Sequence, residues 1–174
     1  MEPPRHRLTT IVVMGVAGAG KSSVMSAVAA KLGWPALEGD GLHPPANVAR
    51  MAAGVPLTDD DRAPWLEAIA AAIGAREAER SSSVVTCSAL RRRYRDVLRR
   101  GHPSVWFVHL VAPTDVLASR ITNRIGHYMP PELLTSQLET LEPLEADEPG
   151  STIDSSGSPE EIADQIVSSL GLDR

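Results

Sequence analysis

Residues 15–23 read Gly15-Val16-Ala17-Gly18-Ala19-Gly20-Lys21-Ser22-Ser23. They lie between a short apolar run and a stretch with helical patterning. The spacing Gly-x-x-x-x-Gly-Lys-Ser is that of a phosphate cradle. A nucleoside triphosphate is crowded with negative charge and is costly to desolvate. A loop whose N–H groups converge on it, running into a helix N-terminus, supplies compensating donors from the backbone alone. Lys21 can reach the β- and γ-phosphates, and the Ser22 hydroxyl can ligate Mg²⁺. A glycine-rich turn that binds nothing is the plain alternative. The strand before the loop and the amphipathic helix after it supply the context a cradle needs.

A second set of reactive groups follows in "LEGDGLH" (37–43), where Glu38 and Asp40 stand two residues apart. At the carboxyl edge of a parallel sheet they would sit where ligands of open α/β folds collect. Strand alternation predicts that both point the same way. One can help hold Mg²⁺ through water, and the other can accept or orient the proton of an attacking hydroxyl. On spacing alone, a solvated acidic turn accounts for the pair equally well.

These groups narrow the class of nucleotide-binding protein. A GTPase would need an Asn-Lys-x-Asp segment, and no Asn-Lys pair occurs. Asp147–Gly150 and Asp154–Gly157 have Asp-x-x-Gly spacing but lie near the C-terminus, so they read as turns. A motor or transporter ATPase would need a longer chain and a strand ending in Asp, whereas "SVVTC" runs into Ser-Ala-Leu. What remains is a small-molecule kinase, which must enclose acceptor and nucleotide while excluding water. A non-catalytic nucleotide-binding sensor is the alternative from another class.

Such groups need elements that end where the chemistry begins. "LTTIVVMG" (8–15) predicts a buried strand. Val24, Met25, Val28, Ala29 and Leu32 then recur at helical spacing, and Gly33 can close that helix. Residues 34–43 predict a short strand, and 44–54 a short helix with proline at its start. Thr58 and Asp61 have capping-box spacing for a helix carrying Trp65, Leu66, Ile69 and Ile73. Further strands are predicted at 82–90, 104–113 and 151–158, and helices at 91–101, 114–124, 132–142 and 159–171. The alternation, without long linkers or repeats, predicts one α/β domain over residues 1–174 with a parallel sheet.

With 174 residues, 43% hydrophobic and 22% charged, the chain is large enough to bury a core. A net charge of −5 argues against a nucleic-acid-binding role. The single cysteine, Cys87, rules out an intrachain disulfide, and the five scattered histidines show no His-Glu-x-x-His arrangement. The N-terminus lacks a signal-peptide apolar core, and no run approaches ~18 apolar residues. The expected setting is the cytoplasm, with no membrane partner.

"GVAGAGKSS", "LEGDGLHPPANVARMAAGVPLTDDDRAPWL" and "VVTCSALRRRYRDVLR" together resemble gluconate kinase, and the resemblance spans residues 11–170. Gly-Asp-x-x-His-Pro, Pro-Leu-x-Asp-x-Asp-Arg and Cys-Ser-Ala-Leu make it far more specific than the cradle does. The resemblance implies an ATP- and Mg²⁺-dependent enzyme acting on the 6-hydroxyl of D-gluconate. It implies a P-loop kinase fold like that of shikimate and adenylate kinases: a five-stranded parallel sheet flanked by helices, with a mobile lid near 120–140. It also suggests a homodimer.

Carried over residue by residue, the resemblance makes Asp40 the base or hydroxyl-orienting group and puts Glu38 on the Mg²⁺ side with Ser22. His43, Arg50 and Arg62 would face the acceptor cleft. Arg62 is the first choice for the gluconate carboxylate, because parallel N–H donors match its two oxygens, and Arg91 is the second. Arg120 joins Gly15–Ser23 in nucleotide binding, and Arg124 joins Asp40 and Lys21 in catalysis. These two arginines sit four apart on one helix face and could close over the transferring phosphoryl group. Ile125 departs from the basic or polar residue common beside this Gly-His. Another small hydroxy acid, such as shikimate, is the nearest alternative acceptor. Against it, shikimate kinase's glycine triplet is missing at Cys87–Ala89.

Other residues carry simpler expectations. Six arginines within 91–100 read as a solvated helix with one or two active-site members. Cys87 reads as strand-end packing, His109 as a satisfied core histidine, and Trp65 as core rather than acceptor stacking. His127 reads equally well as a phosphate contact or as surface. Asp59, Asp60 and Asp61 read as a helix N-terminus, with Asp61 placed to orient Arg62.

Overall fold

A computed structural model describes residues 7–123 and 131–173. In chain order its elements are β1 (Thr10–Met14), α1 (Lys21–Leu32), β2 (Ala36–Glu38), a 3₁₀ turn (Gly39–Leu42), α2 (Pro45–Ala52), α3 (Asp59–Ala78), β3 (Ser83–Thr86), α4 (Arg92–Arg99), β4 (Val105–Val111), α5 (Thr114–Thr122), α6 (Pro131–Thr140), β5 (Gly150–Asp154) and α7 (Pro159–Ser169). The five strands form one parallel sheet in the order β2-β3-β1-β4-β5.

β1 shows why Ile11–Met14 is apolar without alternation. Ile11 and Val13 pack with Val24, Val28 and Ile166 on one face, and Val12 and Met14 pack with Trp65, Ile69 and Leu98 on the other. A central parallel strand covered by helices on both sides has no polar face to show. Local signals hold as well. Gly33, at φ +67°, closes α1. Thr58 and Asp61 form the capping box of α3, and Ser158 and Glu161 form another on α7.

The strands are shorter than expected, and two of these differences shape the cleft. The strand predicted over 34–43 ends at Glu38. There the Gly39 N–H turns to the Thr86 hydroxyl, at 3.1 Å, and no longer to a strand carbonyl. A Cβ on Gly39 would lie 2.0 Å from the Thr86 carbonyl oxygen, so only glycine allows this approach. The strand predicted over 82–90 ends at Thr86, and Ala89 then adopts φ +45° with its side chain fully buried.

α4 is not the solvated helix its arginines suggested. Arg95 is fully buried and bidentate on Glu148, at 2.7 and 3.0 Å, and it also donates to the Ala89 carbonyl at 2.9 Å. Arg92 pairs with Glu145 and Asp147, and Arg93 pairs with Asp59. Acidic residues from elsewhere in the chain neutralise the run, information the local pattern does not contain.

His109 is buried as expected but is not satisfied, because no group partners its Nδ1. Burial, with the charge of Arg95 adding, pushes its pKa down to about 4 from 6.5. The fold therefore keeps His109 neutral while the unfolded chain takes up a proton below about 6.5. Stability should be full above that pH and fall by about 3 kcal/mol as pH drops towards 4. Urea denaturation across this window should show the loss, and His109→Gln should flatten it. Parallel profiles would refute the assignment.

Candidate active site

The sheet order places the cleft. The chain leaves the central strand β1 through Gly15–Gly20 and enters α1, while β2 and β5 occupy the two outer edges. Groups after β2 and groups after β5 therefore approach the loop from opposite sides, at the carboxyl ends where such sheets bind ligands. A cavity of about 660 Å³ lies there, lined by Ala17–Val24 of the cradle.

The cradle has the geometry its spacing implies. Gly18 sits at φ +81°, where a Cβ would meet the Leu117 carbonyl at 2.6 Å. α1 begins with no side-chain cap and no acid in its first turn, unlike α3 and α7. Its first N–H groups and its positive dipole end thus remain for an anion. Lys21 Nζ donates to the carbonyls of Gly15 (2.9 Å) and Val16 (3.1 Å), lying back over the loop. Arg120 of α5 donates to the carbonyls of Gly18 and Ala19 and to Ser155 beyond β5. The Ala17 N–H donates to Gln137 Oε1 of α6, at 2.7 Å.

From the β2 side, Glu38, Asp40, His43, Arg62 and Trp65 line the same cavity, with Thr86 and Ser88 from the end of β3. Because β2 stops at Glu38, strand alternation does not set the direction of Asp40. The 3₁₀ turn brings it to the cavity. That turn is pinned through Gly39, whose N–H donates to Thr86 and whose carbonyl accepts from Trp65 Nε1 at 2.8 Å. Trp65 is core, as expected, yet it also reaches the cavity and stacks on His43 with centroids 4.1 Å apart. Burial lowers the His43 pKa, opposed by the charge of Asp40 and aided by that of Arg62.

Arg62 is held rather than floating. Its NH1 donates to the Tyr94 hydroxyl at 3.2 Å, and its guanidinium lies 5.5 Å from the Tyr94 ring centroid. Tyr94 in turn donates to Asp59, which stands 4.0 Å from Arg62. Asp59 thus takes the orienting place expected of Asp61. Asp61 caps α3 and pairs with Arg50 at 2.9 Å. Neither Arg50 nor Arg91 lines the cavity. Arg124, Ile125 and His127 lie outside the described residues, as does the centre of the expected lid. Cys87 is buried, and burial pushes its thiol up to about 12, which fits packing at the end of the strand.

Sequence reasoning missed Asn47, Tyr94, Gln137, Ser155 and Pro159. Asn47 follows His43 by four residues, the one local hint among them. The others reach the site from distant segments. No group of three metal-ligating side chains occurs among the described residues. The chain alone offers only scattered oxygens here, which suits a Mg²⁺ ion that arrives with phosphates and keeps its waters.

Comparison with known proteins shows the family. The family model for shikimate kinase matches residues 17–171. The gluconokinase of Gluconobacter oxydans (strain 621H) is 45% identical over 157 residues, 90% of this chain and 88% of that protein. Among solved structures, a gluconokinase from Sinorhizobium meliloti 1021 is 48% identical, with TM-score 0.84 over 97% of this chain and 94% of that one. A sugar kinase from Janibacter sp. HTCC2649 is 47% identical, with TM-score 0.88 over 94% of each.

Proposed function

The chain belongs to the gluconokinase family, within the shikimate-kinase group of P-loop kinases, and on that premise we propose that it transfers the γ-phosphoryl group of ATP to the 6-hydroxyl of D-gluconate, giving 6-phospho-D-gluconate. The observation that carries this reading is the shared cavity. A phosphate cradle stands at its centre, and Asp40, His43 and Arg62 meet it from the β2 edge. With phosphates on the cradle and the acceptor on that edge, the nucleoside is left the opposite edge. Arg120, Ser155, Gly157, Pro159 and Ile162 line the cavity there.

The division of labour follows from the side chains. Arg62, already oriented by Tyr94 and Asp59, offers parallel N–H donors to the gluconate carboxylate. Met51 and Val55, two of the three large apolar side chains left exposed among the described residues, line the cavity and give the acceptor's carbon chain a surface. Asp40 accepts the proton of the attacking hydroxyl and fixes its direction. Lys21 neutralises charge on the phosphoryl oxygens, and the first amides of α1 add fixed dipoles. Ser22, with Glu38 through water, would hold Mg²⁺. When bound, that ion supplies charge neutralisation and alignment of the phosphates. Arg120 is the described lid-side cation, and Arg124 is assigned the same work.

Cys87-Ser88-Ala89 at the end of β3 favours gluconate over shikimate, whose kinases carry three glycines there. The same reading makes the protein a cytoplasmic enzyme, working as a homodimer on a small-molecule acceptor. Product analysis tests it. Phosphorus NMR of a reaction with Mg-ATP and D-gluconate should show a phosphate ester coupled to the terminal methylene protons. Phosphate at another carbon, or none, would refute the assignment.

A further inference from the structure

His43 has two ring nitrogens, and whether it offers the acceptor a donor or a lone pair depends on which one carries the proton. Two hydrogen bonds of Asn47 answer that. Asn47, on α2, is 4% exposed, and its Nδ2 lies 2.8 Å from the Asp61 main-chain oxygen and 3.3 Å from His43 Nδ1. A carbonyl oxygen only accepts, so the Asn47 atom facing Asp61 must be the NH₂ nitrogen. The second hydrogen of that nitrogen is the one available to His43. Two donors cannot share a hydrogen bond, so Nδ1 must carry a lone pair. A neutral ring then holds its proton on Nε2.

We propose that Asn47 is a positioning residue that locks His43 as the neutral Nε2–H tautomer, making His43 a hydrogen-bond donor to the acceptor substrate. The ring is also fixed in plane by its stack on Trp65. The charged groups facing it are Asp40 from the 3₁₀ turn and Arg62 from α3. Protonating Nδ1 would set an N–H against the Asn47 N–H, in line with the lowered pKa. The cleft thus presents complementary polarity. Asp40 accepts, while His43 and Arg62 donate. A polyhydroxy acid satisfies that set with a hydroxyl proton, a hydroxyl oxygen and a carboxylate. An acceptor carrying an ammonium where His43 donates is turned away.

The tautomer is independent of the substrate, whereas its role in acceptor binding rests on the gluconate reading. The two are therefore measured separately. Two-bond proton–nitrogen correlation spectra of the ¹⁵N-histidine-labelled chain near neutral pH should give His43, assigned by its loss in His43→Gln, the Nε2–H pattern. An Nδ1–H or imidazolium pattern would overturn the proposal even if gluconate is phosphorylated, and needs no Asn47 variant to be read. In Asn47→Asp the carboxylate accepts from Nδ1, so the pattern should move to Nδ1–H or to imidazolium. Where the ring moves to Nδ1–H and loses its Nε2 donor, the gluconate KM should rise about tenfold or more while the ATP KM holds, whereas an imidazolium keeps that donor and should hold the gluconate KM. His43→Gln, which carries an amide N–H to the Nε2 position, should keep a lower gluconate KM than His43→Asn. An unshifted pattern in Asn47→Asp, or equal losses in the two His43 variants, would refute the lock.

Discussion

Asp40→Asn should lower kcat by about 10²- to 10⁴-fold, the contribution of a well-placed general base, and leave ATP affinity within a few-fold. Asparagine keeps the shape of the side chain but cannot take the proton of the attacking hydroxyl. The turn that carries it should survive, because its anchors are the main-chain atoms of Gly39, bonded to Thr86 and Trp65. Nucleotide binding should survive too, since the cradle and the Arg120–Ser155 side are built on other elements. Single-turnover kinetics and ATP titration calorimetry together check this. A variant with near-normal kcat would remove Asp40 from the chemistry. A wild-type chain that binds ATP and never turns over would be a sensor instead.

Lys21→Ala should cost about 10³-fold or more in kcat/KM, through lost charge stabilisation at the phosphoryl group. Lys21 Nζ rests on the carbonyls of Gly15 and Val16, at the place where phosphate oxygens would gather. Gly15 and Val16 are buried, so losing the Lys21 donor should lower the denaturation midpoint modestly, while circular dichroism should stay that of the folded chain. Unchanged turnover in a folded Lys21→Ala variant would sink the cradle assignment.

The fold was largely legible in the sequence because its signals are local. A buried central strand, a cradle of fixed spacing, Gly33 after α1 and Thr58 with Asp61 before α3 each announce themselves within a few residues. The cradle was legible for the same reason. The acceptor side was legible only in part. Asp40, His43 and Arg62 reach the cavity, but what orients them comes from segments far along the chain. Arg62 is held by Tyr94, which lies 32 positions on. The turn of Asp40 is pinned by Thr86, 47 positions on from Gly39. The motif points Arg50 at the acceptor cleft, whereas in the structure it pairs with Asp61 and does not line the cavity. The arginines of α4 were misread for the same cause, since Glu145, Asp147 and Glu148 sit about fifty positions away. Spacing shows which residues share a helix face, but not which distant carboxylate closes on them.

ADP release with Mg-ATP against D-gluconate, other aldonic acids, shikimate, a nucleoside monophosphate and no acceptor tests the central claim most directly. Strong release with D-gluconate, and little with the others, is the expected result. Strong release with shikimate or a nucleoside monophosphate and none with D-gluconate would contradict it, as would silence across the panel from a chain that still binds ATP.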